Sequence, residues 1–303
     1  MLLFARGNNT MQFEDSAKFL LFIGTPRSGH SILGAILDAH PLVIVSHEVN
    51  ALERISEGVN GEDLFSMILE NSETQASAGR SQSDADHAAG YGQQLSGESD
   101  EAHVSRLKNL PEPQQYRFDY EINGQFQGAV GGPLRVIGDK NGGATTKILS
   151  RDPTLMRRLQ KEAGLPLHLI HVIRDPYDNI ATMARRTGTQ VESQIERFDW
   201  LYEQLNSILE SCDLPMYRMY HEEFVSSPRR HIREICELLD LPVDSAYIDA
   251  CSGIVYEKPH RSRVLVQWDH SSIARVEEII RKWPILNQYG HPDLGDSESN
   301  AGL

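Results

Sequence analysis

Eight consecutive residues, Gly24-Thr25-Pro26-Arg27-Ser28-Gly29-His30-Ser31, bring two glycines, several hydroxyls and one guanidinium into a single short stretch. The spacing is G-x-x-x-x-G-x-S. A loop of this kind between a strand and a helix turns successive backbone N–H groups inward and aims the positive end of the helix at an anion. A phosphate cradle is the reading its context favours over an ordinary glycine-rich turn. His30 stands where nucleotide triphosphatases place a lysine, so Arg27 is the cation that the loop itself supplies.

The flanking elements fit that role. Phe19 to Ile23 is a continuous apolar run, as a strand buried on both faces requires. Ile32, Leu33, Ile36 and Leu37 fall on one face of a following helix. A second apolar run, Leu167 to Ile173, ends at Arg174-Asp175-Pro176. There the Asp is placed to cap a helix and the Pro to occupy its first turn. Arg174 then sits at a strand's carboxyl end, where open α/β sheets bind ligands and where a guanidinium can fork onto phosphate oxygens. Further strands are expected at 42–45, 134–137 and 216–220, and helices at 228–239 and 273–283. The alternation predicts an α/β fold: a P-loop-like, doubly wound parallel sheet flanked by helices. One domain spans 1–303, with its core at about 18–290. Residues 72–105, poor in large apolar side chains, are expected to form a mobile acidic insertion, and 291–303 a flexible tail. The segment 116–135 reads as a hairpin or substrate-facing loop, in which Tyr116, Phe118, Tyr120 and Phe126 either line an apolar slot or simply pack.

The chain has 303 residues, with 29 Lys and Arg against 43 Asp and Glu and a formal charge of −14. That balance disfavours nucleic acid and anionic membranes as partners, while an anionic small ligand needs only locally gathered cations. No run approaches the length of a membrane helix. Cys212, Cys236 and Cys251 have no metal-site spacing, so neither a metal nor a disulfide framework is expected. The N-terminus lacks the pattern of a signal peptide. A cytoplasmic location follows as the expectation.

The stretch FIGTPRSGHSILGAILDAHP closely resembles the 5′-phosphosulfate loop of sulfotransferases, in particular the branch typified by protein-tyrosine sulfotransferases and their bacterial relatives. Pro26, Arg27, Ser28, Gly29, Ser31, Leu33, Asp38, Ala39, His40 and Pro41 fall in register, and His30 replaces the usual Thr. The stretch from His171 to Thr182 resembles the family's 3′-phosphate block, with Arg174, Thr182 in the Ser position, and Arg186 as a further cation. Tyr220 to Pro228 resembles a third block, in which His221 takes a Tyr position. Lys258 to Trp268 resembles the nucleotide-closing loop, with Gln267 where a cation is common and with Arg261, Ser262 and Arg263 nearby.

The resemblance implies 3′-phosphoadenosine 5′-phosphosulfate as donor, no metal, and in-line sulfuryl transfer to a hydroxyl of a small molecule, glycan or peptide. It places Arg27 and Lys140 as the cations beside the leaving group and Glu48 as general base. His47, whose unperturbed pKa suits base work, is the rival. Two other readings stay open: a P-loop kinase or nucleotide triphosphatase, for which Asp175 is the nearest candidate metal-holding Asp, and a nucleotide-binding module without catalysis.

Overall fold

The computed structural model describes residues 2–6, 9–78, 81–82 and 118–290. Its centre is one sheet in the order β3-β6-β2-β7-β8, built from β2 (Asn9–Gly24), β3 (Val43–His47), β6 (Leu134–Lys140), β7 (Leu167–Ile173) and β8 (Met216–Tyr220), every neighbouring pair parallel. The strand expected at Phe19 to Ile23 is the buried end of a 16-residue strand. The other end of β2 pairs antiparallel with β1 (Leu2–Arg6). The strands expected at 42–45 and 134–137 each run further, to His47 and Lys140, and so carry two site residues that the shorter spans had left in loops.

Side-chain alternation divides the core into two layers. Leu20 and Phe22 of β2 pack with Val45, Val172 and the apolar stripe of α1 (His30–Asp38). Phe19, Leu21 and Ile23 face the opposite layer, among α2 (Ala51–Ser56), α3 (Gly61–Ser77) and the helices α4 (Gly142–Leu149) and α5 (Leu155–Ala163). A third cluster joins α6 (Pro176–Thr187) to α7 (Val191–Glu210) and, near the end of the chain, to Val276, Ile279 and Ile280. The remaining helices are α8 (His221–Ser226), α9 (Pro228–Leu238), α10 (Ser245–Gly253) and α11 (His270–Lys282). The helices expected at 228–239 and 273–283 are α9 and α11.

Residues 72–77, expected to open the insertion, belong to a helix instead. They complete α3, because Ser72 is buried there and its hydroxyl donates to the carboxylate of Asp38 at 2.7 and 2.8 Å. Asp38 also accepts from the N–H groups of Val45 and Gly128, which ties α1, β3 and α3 together. The short strands β4 (Ser81–Gln82) and β5 (Phe118–Asp119) pair antiparallel. The rest of that segment, Tyr116 and the expected tail at 291–303 lie outside the described residues. The segment 120–134 is not a hairpin. It runs along α1, where Gln127 Nε2 donates to the carbonyls of Tyr120 and Ala35 and its Oε1 accepts from Ile122 N–H.

The strand order fixes where the site must lie. After β2 the chain crosses toward β3; after β7 it crosses the other way, to β8. The crevice at the carboxyl ends of β2 and β7 is therefore the switch point at which doubly wound sheets bind ligands.

Candidate active site

The loop after β2 crosses that crevice. Arg27 adopts φ +67°, left-handed for a non-glycine residue, and Gly29 adopts φ +106° as the N-cap of α1. Among the described residues no side chain caps α1, so its first N–H groups can serve another partner. The loop is braced from behind. Ser28 is fully buried; its Oγ donates to the Thr25 carbonyl (2.9 Å) and lies 2.8 Å from Thr25 Oγ1, while Asn179 Nδ2 of α6 donates to both hydroxyl oxygens. The Ser28 side chain thus builds the loop, and what it can offer an anion is its backbone N–H. Thr146 of α4 closes the loop's other end, accepting from Gly24 N–H and donating to the Gly24 carbonyl.

His30 was placed in the cradle from the sequence. Its ring instead turns inward under the loop, edge-on to Phe22, with a hydrogen bond to the Ile23 backbone and Nε2 unpartnered among the described residues. Burial pushes its pKa down to about 3, so it is neutral. His221, at the start of α8, packs its ring against Gly29, and burial, with Arg174 next in weight, holds its pKa down at about 3 as well.

Across the crevice, Arg174 is buried. Nη1 donates to the Arg27 carbonyl (2.9 Å) and Thr182 Oγ1 (3.3 Å); Nη2 donates to the His260 carbonyl (3.2 Å) and Ser262 Oγ (3.4 Å). Nε is buried without a partner among the described residues. One guanidinium thus touches three of the four blocks that resemble the family's: the first loop, α6 and the 260–265 turn. Arg186, one helical turn beyond Thr182, adds to the positive field here. Tyr120, expected in an acceptor slot, lies in that same field: burial raises its pKa, and the charges of Arg186, Arg27 and Arg174 oppose the rise. Phe126, from the same expected slot, is exposed instead.

The two arginines of the 258–268 block separate. Arg261 is exposed. Arg263, expected as an open cation, is held by two carboxylates: Nη2 lies 2.5 Å from Asp175 Oδ2 and 2.6 Å from Asp178 Oδ2, and Nε donates to Asp178 Oδ1. It clamps the 262–265 turn onto α6. Asp175 caps α6 by accepting from Tyr177 N–H, so the candidate metal-holding Asp of the kinase reading is committed to a helix cap and an ion pair.

The third group comes from β3 and β6. Parallel pairing sets His47 opposite Lys140. Lys140 is 2% exposed, and its Nζ donates to Glu48 Oε1 (2.7 Å), His47 Nε2 (3.2 Å) and Ser31 Oγ (3.3 Å). Burial lowers its pKa, and the Glu48 charge opposes that shift. Glu48 itself has φ +66°. Strained backbone of this kind costs about 1–3 kcal/mol and gathers at functional sites. Around this loop lie residues the sequence did not flag: Asn71, whose Oδ1 accepts from His47 N–H at 2.7 Å, the hydrogen-bonded pair Asn50 and Asn141, and Asp139. Among the described residues, no group of three or more His, Cys, Asp or Glu is arranged to hold a metal ion.

A model of the sulfotransferase family matches residues 20–245, three quarters of the chain and every strand that carries these groups. The chain belongs to the sulfotransferase family. Solved structures similar to this sulfotransferase include the sulfotransferase domain of the Synechococcus PCC 7002 olefin synthase (13% identity, TM-score 0.49, covering 95% of this chain and 99% of that one). Mouse sulfotransferase SULT7A1 complexed with PAP (10%, 0.47, 95% and 99%) and sulfotransferase STF9 from Mycobacterium avium (11%, 0.45, 92% and 78%) are also similar. No curated protein matches the sequence. No helix of the described residues is long and apolar enough to cross a membrane.

Proposed function

We propose that this sulfotransferase uses 3′-phosphoadenosine 5′-phosphosulfate as donor and a hydroxyl compound as acceptor, with Glu48 as general base. The observation that carries the reading is the position of Lys140. Its ammonium bonds both to Ser31, on the phosphate loop's helix, and to Glu48, beyond the second strand. A single cation therefore links the place where an anion would be held to the carboxylate that would take a proton.

The residues fit the donor. The uncapped N-terminus of α1 offers N–H groups to the 5′ end, with Arg27, Gly29 and Ser31 around it. Arg174, with an unpartnered Nε, and the hydroxyls of Thr182 and Ser262 suit the 3′-phosphate, with Arg186 supplying additional charge. When bound, the donor supplies a sulfuryl group carried on a phosphate leaving group. Arg27 and Lys140 offset the charge that develops there, and such fixed cations in a water-poor site are the main source of rate in group transfer. Glu48 accepts the acceptor's hydroxyl proton. His47, whose Nε2 lies 3.2 Å from the same Lys140 Nζ that meets Glu48 Oε1 at 2.7 Å, is the rival base. The acceptor's identity within the hydroxyl class rests on groups beyond these. A cytoplasmic location is proposed with this reading; the three cysteines are free thiols.

Calorimetry with 3′,5′-ADP, AMP and ATP–Mg tests the donor. Binding of 3′,5′-ADP is expected, and Arg174→Ala should weaken it by roughly 10- to 100-fold, the size of losing charged hydrogen bonds, while AMP binding changes little. Binding of ATP–Mg in preference to 3′,5′-ADP would overturn the donor assignment. For the base, Glu48→Gln should cost about 100-fold or more in turnover. Near-normal turnover by that variant, with His47→Asn inactive, would transfer the role to His47.

A further inference from the structure

Asp139 precedes Lys140 on β6 and is 1% exposed. Its carboxylate accepts three hydrogen bonds, all from the segment 46–51 that carries Glu48 between β3 and α2. Oδ1 accepts from Ser46 Oγ (2.8 Å) and Val49 N–H (2.9 Å), and Oδ2 accepts from Ala51 N–H (2.9 Å). Adjacent strand residues point to opposite faces. Lys140 accordingly packs along α1, its stem beside Gly34, whereas Asp139 lies on the other face with Ser46, next to the start of α2. β6 therefore grips the 46–51 loop twice: once through the Glu48 side chain and once through the loop's backbone.

The loop needs that grip. Glu48 and Asn50 both hold left-handed φ angles, +66° and +62°; Asn tolerates that region, whereas Glu holds it only where its surroundings over-determine it. The N–H groups that reach Asp139 belong to Val49 and Ala51, the residues immediately after these two. A return of Glu48 to negative φ would turn the Val49 N–H away from Oδ1 and carry the Glu48 carboxylate off Lys140. Three donors suit a group that only accepts; a carboxamide in the same place would set its NH₂ against the N–H of either Val49 or Ala51.

We propose that Asp139 is a positioning residue of the transfer centre, locking the 46–51 loop into the one shape that presents Glu48 to Lys140. It meets no reacting atom and acts through the backbone of its neighbours. The kinetic part of this inference rests on the reading of Glu48 as base; the conformational part does not.

The test uses the full chain and two variants, Asp139→Asn, which keeps the size of the side chain, and Ser46→Ala, which keeps the carboxylate and removes one donor. Hydrogen exchange over residues 45–52, calorimetry with 3′,5′-ADP, and transfer from labelled donor to 4-nitrophenol are measured on each. In Asp139→Asn whichever of the Val49 and Ala51 amides faces the new NH₂ loses its acceptor and should exchange about tenfold faster relative to the amides of β2 and β7. The 3′,5′-ADP affinity should stay within about threefold, while turnover falls by up to about 100-fold, the scale of a 1 Å misplacement of a reacting group. Ser46→Ala should move each readout in the same direction by less. Unchanged exchange at Val49 and Ala51 overturns the proposal. So does faster exchange spread evenly over β2 and β7 with nucleotide binding lost in step, and so does local loosening with full turnover. A wild-type chain that binds no 3′,5′-ADP and transfers nothing overturns the functional reading instead, and the exchange result alone then decides whether Asp139 holds the loop.

Discussion

Gly29 and His221 meet with no room for another carbon between them: a Cβ on Gly29 would stand 2.5 Å from Nδ1 of the His221 ring. The contact joins the loop after β2 to the start of α8, and it falls at a residue whose φ of +106° already excludes most side chains. Gly29→Ala is therefore expected to fail twice, by backbone strain and by displacing the imidazole. Calorimetry should show 3′,5′-ADP binding weakened by more than about 10-fold, the equivalent of roughly 1–3 kcal/mol of strain. Adding His221→Ala relieves the overlap and leaves the φ requirement, so the double variant should recover only part of the affinity. Full recovery would show that sterics alone matter at this position.

Much of this candidate site is legible from residue types because the loop after β2 and Arg174 are local patterns. A glycine-bounded turn between an apolar run and a helical stripe, and an Arg-Asp-Pro at a strand end, each carry their structural context with them. The parallel sheet follows from the same alternation. Residues that act across distance do not show. Asn179 braces Thr25 and Ser28 from more than 150 positions away, and Asn71 holds His47 from a helix that composition had partly assigned to an insertion. Asp139 sits beside Lys140 in plain view, yet its role depends on three donors from residues 46–51, which only sheet register brings to it. Arg263 shows the opposite error. A basic residue in a turn looks like an open cation until the fold sets Asp175 and Asp178 around it. His30 errs in the same way, since the motif fixes its place in the loop but not that its ring turns inward.

The imidazoles beneath the loop make stability sensitive to acid. His30 and His171 are buried, and desolvation pushes the pKa of each down to about 3 from an ordinary value of 6.5. A folded-state pKa below the unfolded one means that the unfolded chain takes up the proton first. Their contribution is thus complete above about pH 6.5 and is lost as pH falls toward 3. Each such group costs up to about 1.4 kcal/mol per pH unit inside that window and about 1 kcal/mol in the first unit below 6.5, where the unfolded imidazole is still partly neutral, so the two together remove roughly 2 kcal/mol in that unit. Neither nitrogen of His171 has a partner among the described residues, which makes it the cleaner one to replace. Denaturant unfolding at pH 7.5, 6.5 and 5.5 should show His171→Phe with a shallower loss than the wild type, by about one proton's worth of slope. Parallel curves would mean that His171 is not held neutral.

A substitution at Gly34 tests the proposed role of Lys140 apart from stability. The glycine lies inside α1, where alanine would ordinarily stabilise a helix by about 1 kcal/mol. Here an added Cβ would come within 2.9 Å of Lys140 Cγ and 3.2 Å of its Cβ, the stem of the side chain and not its flexible end. The stem cannot yield without moving the ammonium, and the ammonium is fixed by Glu48, His47 and Ser31 at 2.7–3.3 Å. Gly34→Ala should therefore keep the melting temperature within a few degrees, as the propensity gain and the packing strain oppose each other. Turnover should nonetheless fall by about tenfold or more as Lys140 leaves its partners. Lys140→Met, which removes the charge while preserving the stem, should lose about 100- to 1,000-fold in turnover, in line with deletion of one group that stabilises transition-state charge. Thermal melts and single-turnover transfer on the two variants check the pair, and a Gly34→Ala protein with unimpaired turnover would mean that the Lys140 stem tolerates the push without shifting its ammonium.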